Sequence, residues 1–132
     1  MGASMDGTMV HVRGEGWKEL KVGCIHEIGT ELAWDSASNE KVERACAQEN
    51  SYTAHLGGPA PFGELLWSEA RRRGWETALD SQVIGDGASW IWNLAALHFG
   101  ESHQVVDWYH ATEHLGDATK LLVDESEPGF ER

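Results

Sequence analysis

Residues 81–92 constrain the fold of this chain more than any other segment. The short apolar run 82–85 leads to Asp86 and Gly87 and then to a helical stretch that is rich in Trp. Such a pattern is typical of a buried strand that ends in a turn and continues into a helix. Because open α/β sheets bind ligands at the carboxyl ends of their strands, the pattern makes Asp86 a candidate functional residue.

Strand patterns dominate the first third of the chain. Asp6 lies next to the strand-like run 8–12, and residues 17–28 predict a second strand that forms a hairpin with it and ends at Gly29. The run 52–56 predicts a third strand. Between the second and third strands, residues 30–49 fit either a helical turn or a polar excursion.

The second half of the chain alternates between helices and short strands. Three helices are predicted from apolar residues at helical spacing, at residues 62–70, 88–99 and 109–123. Two short apolar strands separate them, at residues 82–85 and 103–108. The predicted order of elements is therefore β-β-β-α-β-α-β-α.

This order predicts one α/β domain over residues 1–123, with a mixed five-stranded sheet flanked by helices. Right-handed crossover connections would place the fourth strand beside the first. The remaining residues, 124–132, are acidic and contain a Pro-Gly pair, so they predict a flexible tail.

The charge and the cysteine content narrow the classes of function. With 22 acidic and 10 basic residues, the net charge of -12 repels phosphate and argues against a free-standing nucleic-acid-binding protein. It argues less against a catalytic core whose carboxylates hold divalent cations. Cys24 and Cys46 form no disulfide framework, and we find neither a membrane-length apolar run nor a secretory signal pattern. A cytoplasmic location without membrane contact is expected.

The predicted topology brings Asp6 and Asp86 to neighbouring central strands. Two carboxylates at short distance repel each other unless a cation lies between them, and Mg²⁺ or Mn²⁺ is the hard cation that oxygen ligands prefer. A pair of such ions stabilises the attacking and leaving oxygens of phosphodiester cleavage. Asp107 ends the next strand and could support the cluster. The alternative is structural, since Asp is common in Asp-Gly turns and in helix caps.

Five blocks of sequence together resemble bacterial insertion-sequence transposases of the DDE type, in the branch related to the Mutator elements. The blocks are DGTMV at 6–10, LGGP at 56–59, PFGELLW at 61–67, VIGDGA with WIWN at 83–93, and VDWYHA with EHL at 106–115. The resemblance implies a ribonuclease-H-like catalytic core that binds Mg²⁺ in an acidic triad and performs DNA strand cleavage and strand transfer. By position in these motifs, Asp6 matches the first acid and Asp86 the second.

The chain departs from the family pattern at the third acid, a Glu that follows the last strand of the core. We find no confident match and expect this acid beyond residue 132, with Asp107 and Glu113 as stand-ins. His110 matches a family His near the active site and is a supporting candidate. The chain thus resembles a fragment, either an active core or a non-catalytic remnant. Transposon-end DNA would be bound by regions mostly outside it, and a homo-oligomer is possible.

A second motif in the same block allows a different function. His110, Glu113 and His114 fit the pattern His-x-x-Glu-His, which on a helix places two imidazoles on one face where they could hold zinc, with Glu as general base. This zinc metallopeptidase alternative requires a further ligand downstream.

Overall fold

Five strands form one mixed sheet in the computed structural model, which describes residues 1–122. The strands are β1 (Gly2–Val12), β2 (Gly16–Asp35), β3 (Glu40–Leu56), β4 (Gln82–Gly85) and β5 (His103–Val106). Their order in the sheet is β3-β2-β1-β4-β5, with β1, β2 and β3 antiparallel and with β4 and β5 parallel to β1. The predicted mixed sheet is confirmed, as is the placement of the fourth strand beside the first.

Three α-helices follow the first three strands in the predicted alternation. They are α1 (Pro59–Arg72), α2 (Ser89–His98) and α3 (Trp108–Leu122), with a short 3-10 helix at Trp75–Thr77. Proline in the first turn suits the start of α1, because its missing N–H would have no helical partner there. Gly74 follows α1 with φ 85°, a left-handed conformation that glycine adopts without strain.

All three antiparallel strands are longer than the sequence predicts, and β3 begins at Glu40 rather than at residue 52. The strand β1 begins at Gly2 rather than at residue 8, so Asp6 lies inside a strand. Likewise β2 continues through Gly29, and the ambiguous residues 30–49 form the outer part of a long β2–β3 hairpin. Both faces of this outer part are largely solvent-exposed, so it carries no clear hydrophobic alternation from which a strand could be recognised. The predicted tail, residues 124–132, lies outside the described residues.

The hydrophobic core fills the space between one face of the sheet and the helices α1 and α2. From the sheet it receives Ala3, Met5, Ile25 and Val83, and from the helices chiefly Phe62, Leu66, Ala70, Ile91, Leu94 and Ala95. Two glycines on this face let the helices approach closely. A Cβ on Gly23 would lie 2.7 Å from a methyl carbon of Leu66, and one on Gly85 would lie 2.7 Å from a methyl carbon of Ile91.

Arg73, just after α1, fastens this helix to an irregular point of the sheet. The pairing of β2 with β3 shifts register between Ile25 and Glu27. The Arg73 guanidinium donates to the carbonyl of Ile25 at 2.8 Å, to the hydroxyl of Ser51 at 3.1 Å and to the carbonyl of Glu49. Carbonyls that the interrupted ladder leaves unpaired are thereby satisfied.

The opposite face of the sheet, here called the open face, carries Ser4, Asp6, Val22, Cys24, His26, Tyr52 and Ile84. Strand register places them together, because Ser4 pairs with Cys24 and Ile84, and Cys24 pairs with Tyr52. Helix α3 contributes His110 to this side, while every other residue from 108 to 120 is exposed. The open face therefore holds the cavities of interest.

Candidate active site

Asp6 lies within β1, just past the end of its parallel pairing with β4, and Asp86 directly follows β4. The last pair between the parallel strands β1 and β4 is Ser4 with Ile84, and each aspartate follows two residues later. Because side chains alternate along a strand, Asp6 points to the same face as Ser4, the open face. The predicted neighbourhood of β1 and β4 is confirmed, and it brings the chain positions of Asp6 and Asp86 to the same side of the sheet.

Both aspartates line one cavity of about 400 Å³, here called the acidic cavity. Asp107 and His110 also line it, so four of the five predicted site residues meet there from separate parts of the chain. Glu113 is not among its lining residues; it is exposed on α3. Between the polar groups the floor is formed by Met5, Val22, Gly23 and other residues of the central strands.

Local hydrogen bonds hold the carboxylate of Asp86. Its Oδ1 accepts the backbone N–H of Ala88 at 2.8 Å, across a turn in which Gly87 adopts φ 97°. Only glycine adopts this backbone conformation readily, so the Asp-Gly pair fixes the path from β4 into α2. One carboxylate oxygen of Asp86 therefore has the structural, turn-stabilising role. The other oxygen is free to bind another partner.

Asp6 is held in a similar way but is more exposed. Its Oδ1 accepts the N–H of Gly7 at 2.7 Å. Within residues 1–122, neither Asp6 nor Asp86 forms an ion pair with a basic side chain. Two carboxylates on one cavity without a cationic partner are an arrangement that favours binding of a cation.

Asp107 caps α3 and links it to the central sheet. Its Oδ1 accepts the N–H of Tyr109 at 2.9 Å, and its own N–H donates to the carbonyl of Gly85 at 2.9 Å. The other carboxylate oxygen lies 3.5 Å from Nδ1 of His110, a buried atom that has no hydrogen-bond partner among the described residues. Asp107 thus orients the start of the helix that brings His110 to the cavity.

The described residues contain no complete metal-binding cluster. Across residues 1–122, no group of three or more His, Cys, Asp and Glu side chains is placed to hold a metal ion, so Asp107 does not complete a triad with Asp6 and Asp86. The same finding covers His110, Glu113 and His114. Mg²⁺ is often bound through only one or two carboxylates and keeps several waters, which fits the free oxygens of Asp6 and Asp86.

The structure also shows a buried lysine, Lys21, on the helix-covered face of the sheet, which the sequence did not predict. Lys21 is 1% exposed, and its Nζ lies 2.7 Å from a carboxylate oxygen of Glu19 and 4.6 Å from the ring centroid of Trp90. Trp90 belongs to the first turn of α2, so this contact fixes the helix that follows Asp86. The sequence carried one signal for this burial. Lys21, Gly23 and Ile25 are two residues apart along β2, so they share the helix-covered face.

The geometry defines an α/β protein with an acidic cavity at the edge of a mixed five-stranded sheet. No family model, curated protein or solved structure matches the chain. Among the helices of the described part, none combines the length and apolar character needed to cross a membrane.

Proposed function

We propose that this chain is the ribonuclease-H-like catalytic core of a DDE transposase, which cleaves and joins DNA phosphodiester bonds with Mg²⁺ or Mn²⁺. The observation that carries the proposal is the placement of Asp6 and Asp86 on one cavity at the ends of parallel pairing between β1 and β4. The order of elements and the mixed sheet agree with the arrangement that the family resemblance implies.

The residues of the acidic cavity have different roles in the proposed reaction. Asp6 and Asp86 each keep one carboxylate oxygen in a local hydrogen bond and would offer the other to the cation. When bound, the cation stabilises charge on the attacking and leaving oxygens of the phosphodiester. Asp107 orients His110, whose imidazole can donate to a phosphate oxygen at the mouth of the cavity. The third acid that the family resemblance requires is not identified among the described residues.

The net charge of -12 sets a condition on this activity. Phosphate is repelled at long range by a protein of this charge, so the core by itself should bind DNA weakly unless divalent cations are present. Regions mostly outside the chain would supply affinity for transposon ends.

A plasmid-nicking assay on the 132-residue protein tests the proposal. With Mn²⁺ or Mg²⁺ we expect slow nicking of supercoiled DNA that disappears in Asp6→Asn and in Asp86→Asn. The control is Asp117→Asn, which removes an exposed carboxylate of α3 and should leave nicking unchanged. Circular dichroism spectra establish that each variant is folded.

Calorimetric titration with Mn²⁺ separates the catalytic core from a non-catalytic remnant. Binding that depends on Asp86, without nicking, would assign the cavity to a remnant that keeps part of the metal site. If the protein neither binds Mn²⁺ nor nicks DNA, the proposal of a metal-dependent nuclease is contradicted. Stoichiometric zinc that is lost in His110→Ala would favour the metallopeptidase alternative instead.

A further inference from the structure

The open face holds a second cavity, of about 510 Å³, directly beside the acidic cavity. The two share four lining residues, Ser4, Cys24, Tyr52 and Ile84. We call the second one the neutral cavity, because no Asp, Glu, Lys or Arg lines it. A ligand in the acidic cavity could therefore extend along the open face into the neutral one.

The walls of the neutral cavity combine apolar surface with neutral hydrogen-bonding groups. The amides of Asn50 and Gln82 can each donate and accept, and Tyr52 presents a ring that is 69% exposed. Ile28 and Ile84 supply apolar contact. Such a lining suits a flat, uncharged group with polar edges.

His26 forms a buried part of the wall of this cavity. The residue is only 5% exposed, yet its Nδ1 has no hydrogen-bond partner among the described residues. The ring rests directly on the backbone of Gly2, since a Cβ there would lie 2.2 Å from Nε2. Because Nδ1 has almost no accessible surface, His26 shapes the wall of the cavity and does not offer that atom to a ligand.

Two other ligand classes fit less well. Cys24, His26 and Cys46 line the cavity together, but in residues 1–122 no three such side chains are placed to hold a metal. An anion would find no Lys or Arg in the lining. Burial lowers the pKa of His26, and the amino terminus and Arg73 lower it further, so the imidazole favours its neutral form.

We propose that the neutral cavity binds the base of an unpaired nucleotide adjoining the phosphodiester held in the acidic cavity. The inference rests on the proposed function, because it takes the acidic cavity as the phosphate site. A nucleobase has donors and acceptors for Asn50 and Gln82, and a π-face for the exposed ring of Tyr52. The shared wall lets one strand reach both cavities.

Fluorescence anisotropy of the 132-residue protein with a short labelled single strand, in Ca²⁺, tests this inference. The intact strand is compared with one that carries abasic residues at its centre. We expect the abasic residues to weaken binding about tenfold, the size of one base–aromatic contact. The difference should vanish in Tyr52→Ala and in Gln82→Ala, and it should remain in Gln104→Ala, whose amide lies exposed on β5 away from both cavities.

A second arm separates a base within a strand from a free nucleotide. Saturation-transfer NMR with thymidine and adenosine reports base binding without any phosphate, and loss of this signal in Gln82→Ala would support the cavity as the base site. If the free nucleosides bind as tightly as the strand, the ligand is a free nucleoside or nucleotide and the inference of a strand site is overturned. A duplex of the same sequence should bind more weakly than the single strand.

The outcomes distinguish this inference from the proposed function. Nicking that depends on Asp86, with equal binding of intact and abasic strands, would overturn the base site alone. Base-dependent binding that Gln82→Ala removes, without nicking, would support the base site and contradict catalysis. If neither strand nor nucleoside binds, the inference is wrong.

Discussion

The two faces of the central sheet differ in what their residues do, although they alternate along the same strands. Met5, Gly23 and Val83 are buried against the helices, whereas Asp6, Cys24 and Ile84 face cavities on the open side. Consecutive residues of one strand therefore have different roles, since one packs in the core and the next lines a cavity. We therefore expect substitutions on the helix-covered face to change the free energy of unfolding, and those on the open face to change binding.

The largest effect is expected from a pair of adjacent leucines on α1. Leu66 is fully buried, and Leu65 is 48% exposed. Leu66→Ala should lower the free energy of unfolding by about 2–5 kcal/mol, because it opens a cavity in the core. Leu65→Ala should cost about 1 kcal/mol or less. Urea denaturation measures both, and equal losses would contradict the assignment of the buried face.

The close approach of α1 to β2 predicts the next largest effect. A Cβ on Gly23 would lie 2.7 Å from Leu66 and 2.9 Å from Phe62, so Gly23→Ala should cost about 1–3 kcal/mol through overpacking. In a Leu66→Ala background the new methyl group would partly fill the space that the leucine leaves. The double variant should therefore lose less stability than the sum of the two single variants, and strict additivity would argue against this contact.

Substitutions of two adjacent arginines test how the end of α1 stabilises the irregular pairing of β2 with β3 at Ile25–Glu27. Arg73→Met leaves the carbonyl of Glu49 without its side-chain donor and leaves that of Ile25 with only the weaker contacts from Ser51 and Cys24, at an expected cost of about 1–3 kcal/mol. Arg72→Met removes the ion pair between the exposed Arg72 and the partly buried Glu69 and should cost less, because the guanidinium of Arg72 remains in water. Thermal unfolding compares the two, and a larger loss for Arg72→Met would be inconsistent with the stabilising role of Arg73.

The sequence predicted those parts of the fold in which local signals and tertiary packing agree. Glycine and proline marked the ends of the helices, and the runs at 82–85 and 103–108 predicted the parallel strands, of which the second ends earlier, at Val106, because α3 begins at Trp108. The outer β2–β3 hairpin was missed because both of its faces meet solvent, so no periodicity distinguishes it. Cross-strand partners such as Asp35 and Arg44, 3.2 Å apart, stabilise it only once the hairpin has formed.

The candidate site was predictable to a similar degree. Asp6 and Asp86 could be placed on neighbouring strands because crossover handedness fixes strand order. Lys21 and His26 were not singled out, because a charged or polar residue in a strand signals burial only when the partner that covers it is known. For Lys21 this partner is Trp90 from a distant helix, and for His26 it is the backbone of Gly2.

The smallest effect concerns the pH dependence that His26 gives to the open face. Burial, and then the nearby amino terminus and Arg73, lower the pKa of His26 below 6.5 in the folded protein. Below about pH 6.5 the unfolded chain therefore binds the proton more readily, and stability falls as pH decreases toward the folded-state pKa. His26→Gln should reduce this loss on acidification, whereas His11→Gln, at an exposed imidazole, serves as the control. Denaturation at several pH values measures the difference, and parallel curves for wild type and His26→Gln would show that the imidazole is not desolvated on the open face.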